Sequence, residues 1–127
     1  MIDVHCHLEQ KDYDKDRDDV IESCKKELKA IITSCVHPRD FELTMKLVKN
    51  YKNFVFASCG IRPEYVKEVS VKEKDDFLDL IVKNKEKIVA IGETGLDYWY
   101  IKEKVFLHLI FNICICFRQQ VWYIYYL

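Results

Sequence analysis

Phe54-Val55-Phe56-Ala57-Ser58-Cys59-Gly60 is a short apolar run, rich in β-branched and aromatic residues and without strict polar–apolar alternation. Such a run suits a strand covered on both faces, as in a parallel sheet. Helical patterns flank it. Phe41, Thr44, Met45 and Val48 trace one helix face before it, with Pro38 tolerated near the start. Phe77, Leu80 and Ile81 mark a helix after it, expected to begin at Asp75 and Asp76. Three more strand candidates lie further out: Ile2-Asp3-Val4-His5, Ala30-Ile31-Ile32-Thr33-Ser34-Cys35 and Ile88-Val89-Ala90-Ile91-Gly92-Glu93. Val20, Ile21, Cys24 and Leu28 recur at helical spacing after the acidic stretch Asp14 to Asp19, which favours a helix N-terminus. Four βα units in strict alternation predict a parallel sheet with right-handed crossovers. The longer segment from Arg62 to Glu73 is the kind of βα connection that often carries function.

The chain has 127 residues, enough for one modest domain. Half is apolar and about a third is charged, which excludes a disordered chain. A net charge of −1 gives no global attraction to nucleic acid or anionic membrane. Any phosphate substrate would need metal ions or a few placed cations. All 21 acidic residues and 19 of the 20 basic residues lie at or before Lys104. The expected division is therefore 1–104, an ordinary α/β sequence, and 105–127, an apolar tail that reads as the product of truncation or a frame change. Ile101 to Phe117 has the pattern of a fourth helix, and Val121 to Leu127 the composition of a strand. Asn112, Arg118, Gln119 and Gln120 interrupt the tail, so no membrane span is expected. Met1 leads straight into Ile2-Asp3-Val4-His5 with no basic start and no apolar h-region. The six cysteines form no Cys-x-x-Cys pair, so reduced thiols and a cytoplasmic location are expected.

Two stretches carry chemistry. In Asp3-Val4-His5-Cys6-His7, strand alternation would place His5 and His7 on one side and Val4 against the opposite face. Paired neutral imidazoles suit zinc and similar divalent ions. Asp3, on the same alternation, would accept a hydrogen bond behind them. Read alone, His-x-His is a weak motif and is better read as two partly exposed histidines at a strand end. In Gly92-Glu93-Thr94-Gly95-Leu96-Asp97-Tyr98 the glycines allow a tight turn, and Glu93 falls at a C-terminal strand end, where parallel α/β sheets and barrels build their sites. A carboxylate there could bind a cation with His5 and His7, or be a loop residue with Asp97 a helix cap. His37-Pro38-Arg39-Asp40 could approach the same edge, but a turn explains it as well. Cys114-Ile115-Cys116 has apolar neighbours and no partner ligands, and Tyr98, Trp99 and Tyr100 read more readily as packing groups than as a base-stacking surface.

Ile2-Asp3-Val4-His5-Cys6-His7-Leu8 resembles the opening signature of the TatD-like metal-dependent hydrolases, and Ile91-Gly92-Glu93-Thr94-Gly95-Leu96-Asp97-Tyr98 resembles their second. Cys59-Gly60-Ile61-Arg62-Pro63-Glu64 is similar to a third, which usually reads Gly-x-His-Pro. The likeness runs from residue 1 to about residue 106, including Lys104-Val105-Phe106. It implies an incomplete (β/α)8 TIM-type barrel of about four βα units. It also implies hydrolysis of DNA phosphodiesters by one or two divalent ions (Mg, Mn or Zn). By the family pattern His5 and His7 bind the first ion and Glu93 bridges both. Arg62 stands where the family usually has histidine; it could hold a phosphate oxygen, or equally be a solvated surface arginine. The family also draws two histidines and an aspartate from later strands. His108 lies in a helical pattern and does not read as one of them. Two other readings stay open: an inactive α/β fragment with a structural or interaction role, and a different amidohydrolase-type metal hydrolase. Four units would leave open sheet edges through which copies could associate.

Overall fold

The computed structural model describes residues 1–93, so Asp97, His108, the tail and its cysteines lie outside the described residues. Four strands form one parallel sheet: β1 (Ile2–Cys6), β2 (Ala30–Cys35), β3 (Val55–Cys59) and β4 (Ile88–Ile91), in the spatial order 1-2-3-4. The helices are α1 (Arg17–Cys24), α2 (Phe41–Asn50) and α3 (Val71–Lys83), one in each crossover. Each strand lies next to its predecessor, and the order never reverses. That is the winding of a barrel arc, not of a doubly wound sheet with its switch point.

The core lies between sheet and helices, in two clusters. Ile21 of α1, Leu47 of α2, Ile31, Val55, Phe54 and Leu8 make one. Phe41 of α2 and Phe77 and Ile81 of α3 pack on Cys35, Ala57, Cys59 and Ile91 in the other. Phe41 and Phe77 meet edge to face, with ring centroids 5.7 Å apart, a geometry that adds to simple burial. Cys35 and Cys59 are buried partners in the β2–β3 ladder and act as small apolar groups.

Several local expectations need correction. The inner strands β2 and β3 are well covered, but β1 is not: Val4, expected to pack, is 45% exposed. β1 is the last strand of the described sheet on its side, with only β2 beside it. Helix α3 starts four residues before Asp75. Ser70 accepts a hydrogen bond from the Glu73 backbone N–H, and the Glu73 carboxylate accepts from the Ser70 N–H, closing a capping box. Those bonds satisfy backbone donors at the helix start, which the acidic pair at 75–76 does not do. Only Phe77 and Ile81 of the expected apolar face are buried; Leu80 is largely exposed. Helix α1 ends at Cys24, and Leu28 reaches the core from the turn beyond it.

A further departure is a register shift in β1. Asp3 pairs with Ile31 and Cys6 with Thr33, so three steps on β1 match two on β2. This is a bulge of one extra residue. Ladder partners point the same way, and Ile31 and Thr33 share a face. Asp3 and Cys6 therefore share that face too, and His5 and His7 project from the other. Unbroken alternation would have put Asp3 with the histidines.

Phe77→Ala should cost about 3–5 kcal/mol, measured by urea unfolding, because it opens a cavity between α3 and the sheet. The hydrogen bonds from Ser70 hold the Glu73 carboxyl below its ordinary pKa. A depressed carboxyl contributes stability above its unfolded pKa and loses it as pH falls through the folded value. Glu73→Gln should therefore flatten the acid limb of melting temperature against pH and leave the variant less stable at pH 7.

Candidate metal centre

The C-terminal strand ends bring His5, His7 and Glu93 together. Glu93 Oε1 lies 3.1 Å from His5 Nε2 and 3.1 Å from His7 Nε2. The rings of His5 and His7 meet edge to face, centroids 5.2 Å apart. Strands β1 and β4 are not neighbours, because β2 and β3 lie between them. In a flat sheet with strands about 4.8 Å apart they would sit about 14 Å from each other. The contact exists because the sheet curves and these side chains point into its concave side.

The donor set suits a cation. His7 Nδ1 donates to the Ser34 carbonyl at 2.9 Å, so Nε2 of the neutral ring carries a lone pair. It faces Glu93 Oε1, a buried oxygen with no hydrogen-bond partner. Lone pairs aimed at one another are repulsive unless a positive charge lies among them. One ligand atom from each of His5, His7 and Glu93 falls within 4.8 Å of the others. Tetrahedral ligands at bond lengths of about 2.0–2.1 Å sit about 3.4 Å apart, close to the separations found here. Two imidazoles and a carboxylate fit zinc or manganese, and three protein donors leave a position for water.

The surroundings of His7 were not foreseen. Glu9, two residues on, is 4% exposed despite its charge. Its Oε1 lies 3.2 Å from His7 Nδ1, and its Oε2 accepts from the Thr33 hydroxyl at 2.6 Å. That hydrogen bond to Glu9 raises the pKa of His7, against the opposing effect of burial. Asp3 touches neither imidazole: its carboxylate accepts from the His5 backbone N–H at 3.0 Å. The bulge explains this, since it turns Asp3 to the other face. Cys6, between the histidines, sends its thiol toward the Ile32 carbonyl, and burial pushes its pKa up to about 12. It stays a neutral thiol and is no ligand.

Arg62 borders the centre. Its Nε lies 3.5 Å from Glu93 Oε2, and another guanidinium nitrogen lies 3.2 Å from Glu64. Glu93 thus turns one oxygen to the imidazoles and the other to a cation. His37 accepts from the Arg39 backbone N–H and packs on Tyr65, as a turn residue does.

A family model described as TatD-related DNase matches residues 2–115. The chain belongs to the TatD family. It is 37% identical over 105 residues to the human protein named deoxyribonuclease TATDN3, covering 77% of this chain and 38% of that one. A Buchnera aphidicola protein named as an uncharacterized metal-dependent hydrolase is 40% identical over 104 residues, covering 78% of this chain and 37% of its own length. Among solved structures, a TatD-family hydrolase from Entamoeba histolytica superimposes with a TM-score of 0.81 at 25% identity, over 94% of this chain and 46% of that one. The chain spans less than half the length of these relatives. With its sheet order, the likeness makes the fold an incomplete (β/α)8 barrel.

The TatD signature residue Gly60 shows how the family loop is held. Cys59 pairs with Ile91, and the next residues, Gly60 and Gly92, run side by side. A Cβ at Gly60 would lie 2.8 Å from the Gly92 carbonyl carbon and 2.9 Å from the Glu93 carbonyl oxygen. Both are backbone atoms that cannot swing aside. Gly60→Ala should push the Glu93 loop away and weaken Zn²⁺ or Mn²⁺ binding by roughly tenfold or more, the scale seen when a metal site's supporting contacts are lost. Titration calorimetry checks this, with circular dichroism to show that the fold persists.

Proposed function

We propose that these residues form the first half of a divalent-metal-dependent phosphodiesterase centre acting on DNA, with His5, His7 and Glu93 as the ligands of one ion. The observation that carries this reading is the buried, unpartnered Glu93 Oε1 at 3.1 Å from both imidazole nitrogens. The names of the relatives support it: deoxyribonuclease for the human protein, metal-dependent hydrolase for the Buchnera one. Zn, Mn and Mg are the candidate ions. A divalent ion, when bound, polarises a phosphodiester and makes water more acidic.

The chain's own residues supply the rest. His5 and His7 fix the ion's place on the concave face through two neutral nitrogens. Glu93 contributes negative charge through Oε1. Arg62, steadied by Glu64, presents its guanidinium to the same opening and takes a phosphate oxygen by charge-assisted hydrogen bonds. It replaces the histidine usual at this signature position and offers no lone pair, so it binds substrate and not metal. Asp97 is assigned as a substrate-side residue on the signature alone. The four described cysteines are free thiols, which favours the reducing cytoplasm. No helix among the described residues is long and apolar enough to cross a membrane.

A second reading rests on the shared length. It takes the chain, which covers 38% of the human relative and 46% of the Entamoeba one, as an inactive α/β fragment that holds an ion without cleaving DNA. The two readings differ in one assay. Under the first, the purified chain binds Zn²⁺ or Mn²⁺ and degrades DNA in a chelator-sensitive manner. His5→Ala, His7→Ala and Glu93→Ala abolish both. Arg62→Ala keeps metal binding and raises KM for DNA roughly tenfold, the effect of losing one charge-assisted phosphate contact worth about 1.5–3 kcal/mol. Metal binding without cleavage selects the second reading, and a chain that binds no metal defeats both.

A further inference from the structure

Glu9 lies outside the three residues that face the opening, and the metal centre as proposed gives it no part. Its environment is unusual for a carboxylate. It is 4% exposed, and its side chain is fully covered. Burying a charge is costly unless it is paired and hydrogen-bonded. Each oxygen here has one donor: the Thr33 hydroxyl at 2.6 Å for Oε2 and His7 Nδ1 at 3.2 Å for Oε1. Thr33 is itself held, because its Oγ1 accepts the Leu8 backbone N–H at 2.9 Å. The chain Leu8–Thr33–Glu9–His7 therefore ties the strand end of β1 to the middle of β2.

The Ser34 carbonyl, 2.9 Å from His7 Nδ1, already decides which ring nitrogen carries hydrogen. A neutral acceptor would have been enough for orientation. What Glu9 adds is a buried negative charge, directly behind the imidazole whose other nitrogen faces Glu93. Charge at that distance, with little water between, acts more strongly than it would in solvent. Together with Glu93 it supplies two negative charges, one at each ring nitrogen of His7, matching one divalent cation.

We infer that Glu9 is a positioning residue that strengthens the hold of His7 on a divalent ion through its charge, with Thr33 keeping that charge buried and in place. The inference rests on the proposed metal centre. Glu9→Gln is the decisive variant, since it keeps shape and a hydrogen-bond acceptor while removing the charge. Thr33→Val removes the hydroxyl that holds Oε2 at nearly constant volume.

Zn²⁺ affinity is measured on the full chain by competition with a chromophoric chelator, alongside the melting temperature of the metal-free protein. Glu9→Gln should weaken Zn²⁺ binding at least tenfold, within the range for residues behind metal ligands. Its metal-free melting temperature should stay equal to or above that of the wild type, because the desolvation cost of a buried charge has gone while the hydrogen-bond acceptor remains. Thr33→Val should weaken binding less. Wild-type affinity in Glu9→Gln overturns the inference and leaves the metal centre standing. A lower melting temperature with unchanged affinity makes Glu9 a purely structural group and overturns it as well. Absence of Zn²⁺ binding in the wild type overturns both.

Discussion

Curvature of the sheet is the constraint on which the site depends. His5 and His7 leave the sheet on its first strand and Glu93 follows its fourth, yet their ligand atoms stand 3.1 Å apart. Parallel strands twist, and helices packed on one side only draw the sheet around an inner space. Here that packing comes from Phe41, Phe77 and Ile81 against Cys35, Cys59 and Ile91. The apolar layer thus sets the distance between polar groups on the other side. A change in the helix layer that flattened the arc would separate the ligands without touching them.

The second dependence is electrostatic. The concave rim gathers three carboxylates and one guanidinium in a small volume: Glu9, Glu64, Glu93 and Arg62. Arg62 answers part of that charge and leaves an excess of negative sign. Glu93 places negative charge where the imidazole Nε2 atoms point, and Glu9 places it behind His7. A net charge of −1 for the whole chain says nothing of this, because the charges that matter are local and partly buried. The same rim that favours a metal ion would repel a polyanion without one. Under the proposed function, metal occupancy and approach of a phosphate chain would be coupled for that reason.

Much of this was readable from the residues alone. The apolar runs at 30–35 and 54–60 have strand composition because both faces are covered, and the structure puts strands there. The strand-end rule put His5, His7 and Glu93 on one rim, where the structure brings them together. Other features left little trace. Glu9 is a single carboxylate after a leucine, and nothing in its neighbours announces burial, which comes from β2 folding over it. The side of Asp3 depends on pairing with Ile31, a residue far off in sequence. The start of α3 was legible in Ser70-Val71-Lys72-Glu73, but the pair Asp75-Asp76 is a louder acidic signal with a weaker physical basis. Val4 has the composition of a packed residue; what it lacks among the described residues is a neighbour beyond β1.

The bulge between Asp3 and Cys6 works as a phase setting within the first strand. On either side of it the strand keeps step with β2, so the extra residue is absorbed locally and changes only the parity between Asp3 and the histidines. Spacing along the chain and sidedness are thereby uncoupled: Asp3 and His5, two apart, serve opposite faces of one layer. A single slack residue lets the same short stretch furnish both the helix side and the concave side of the sheet.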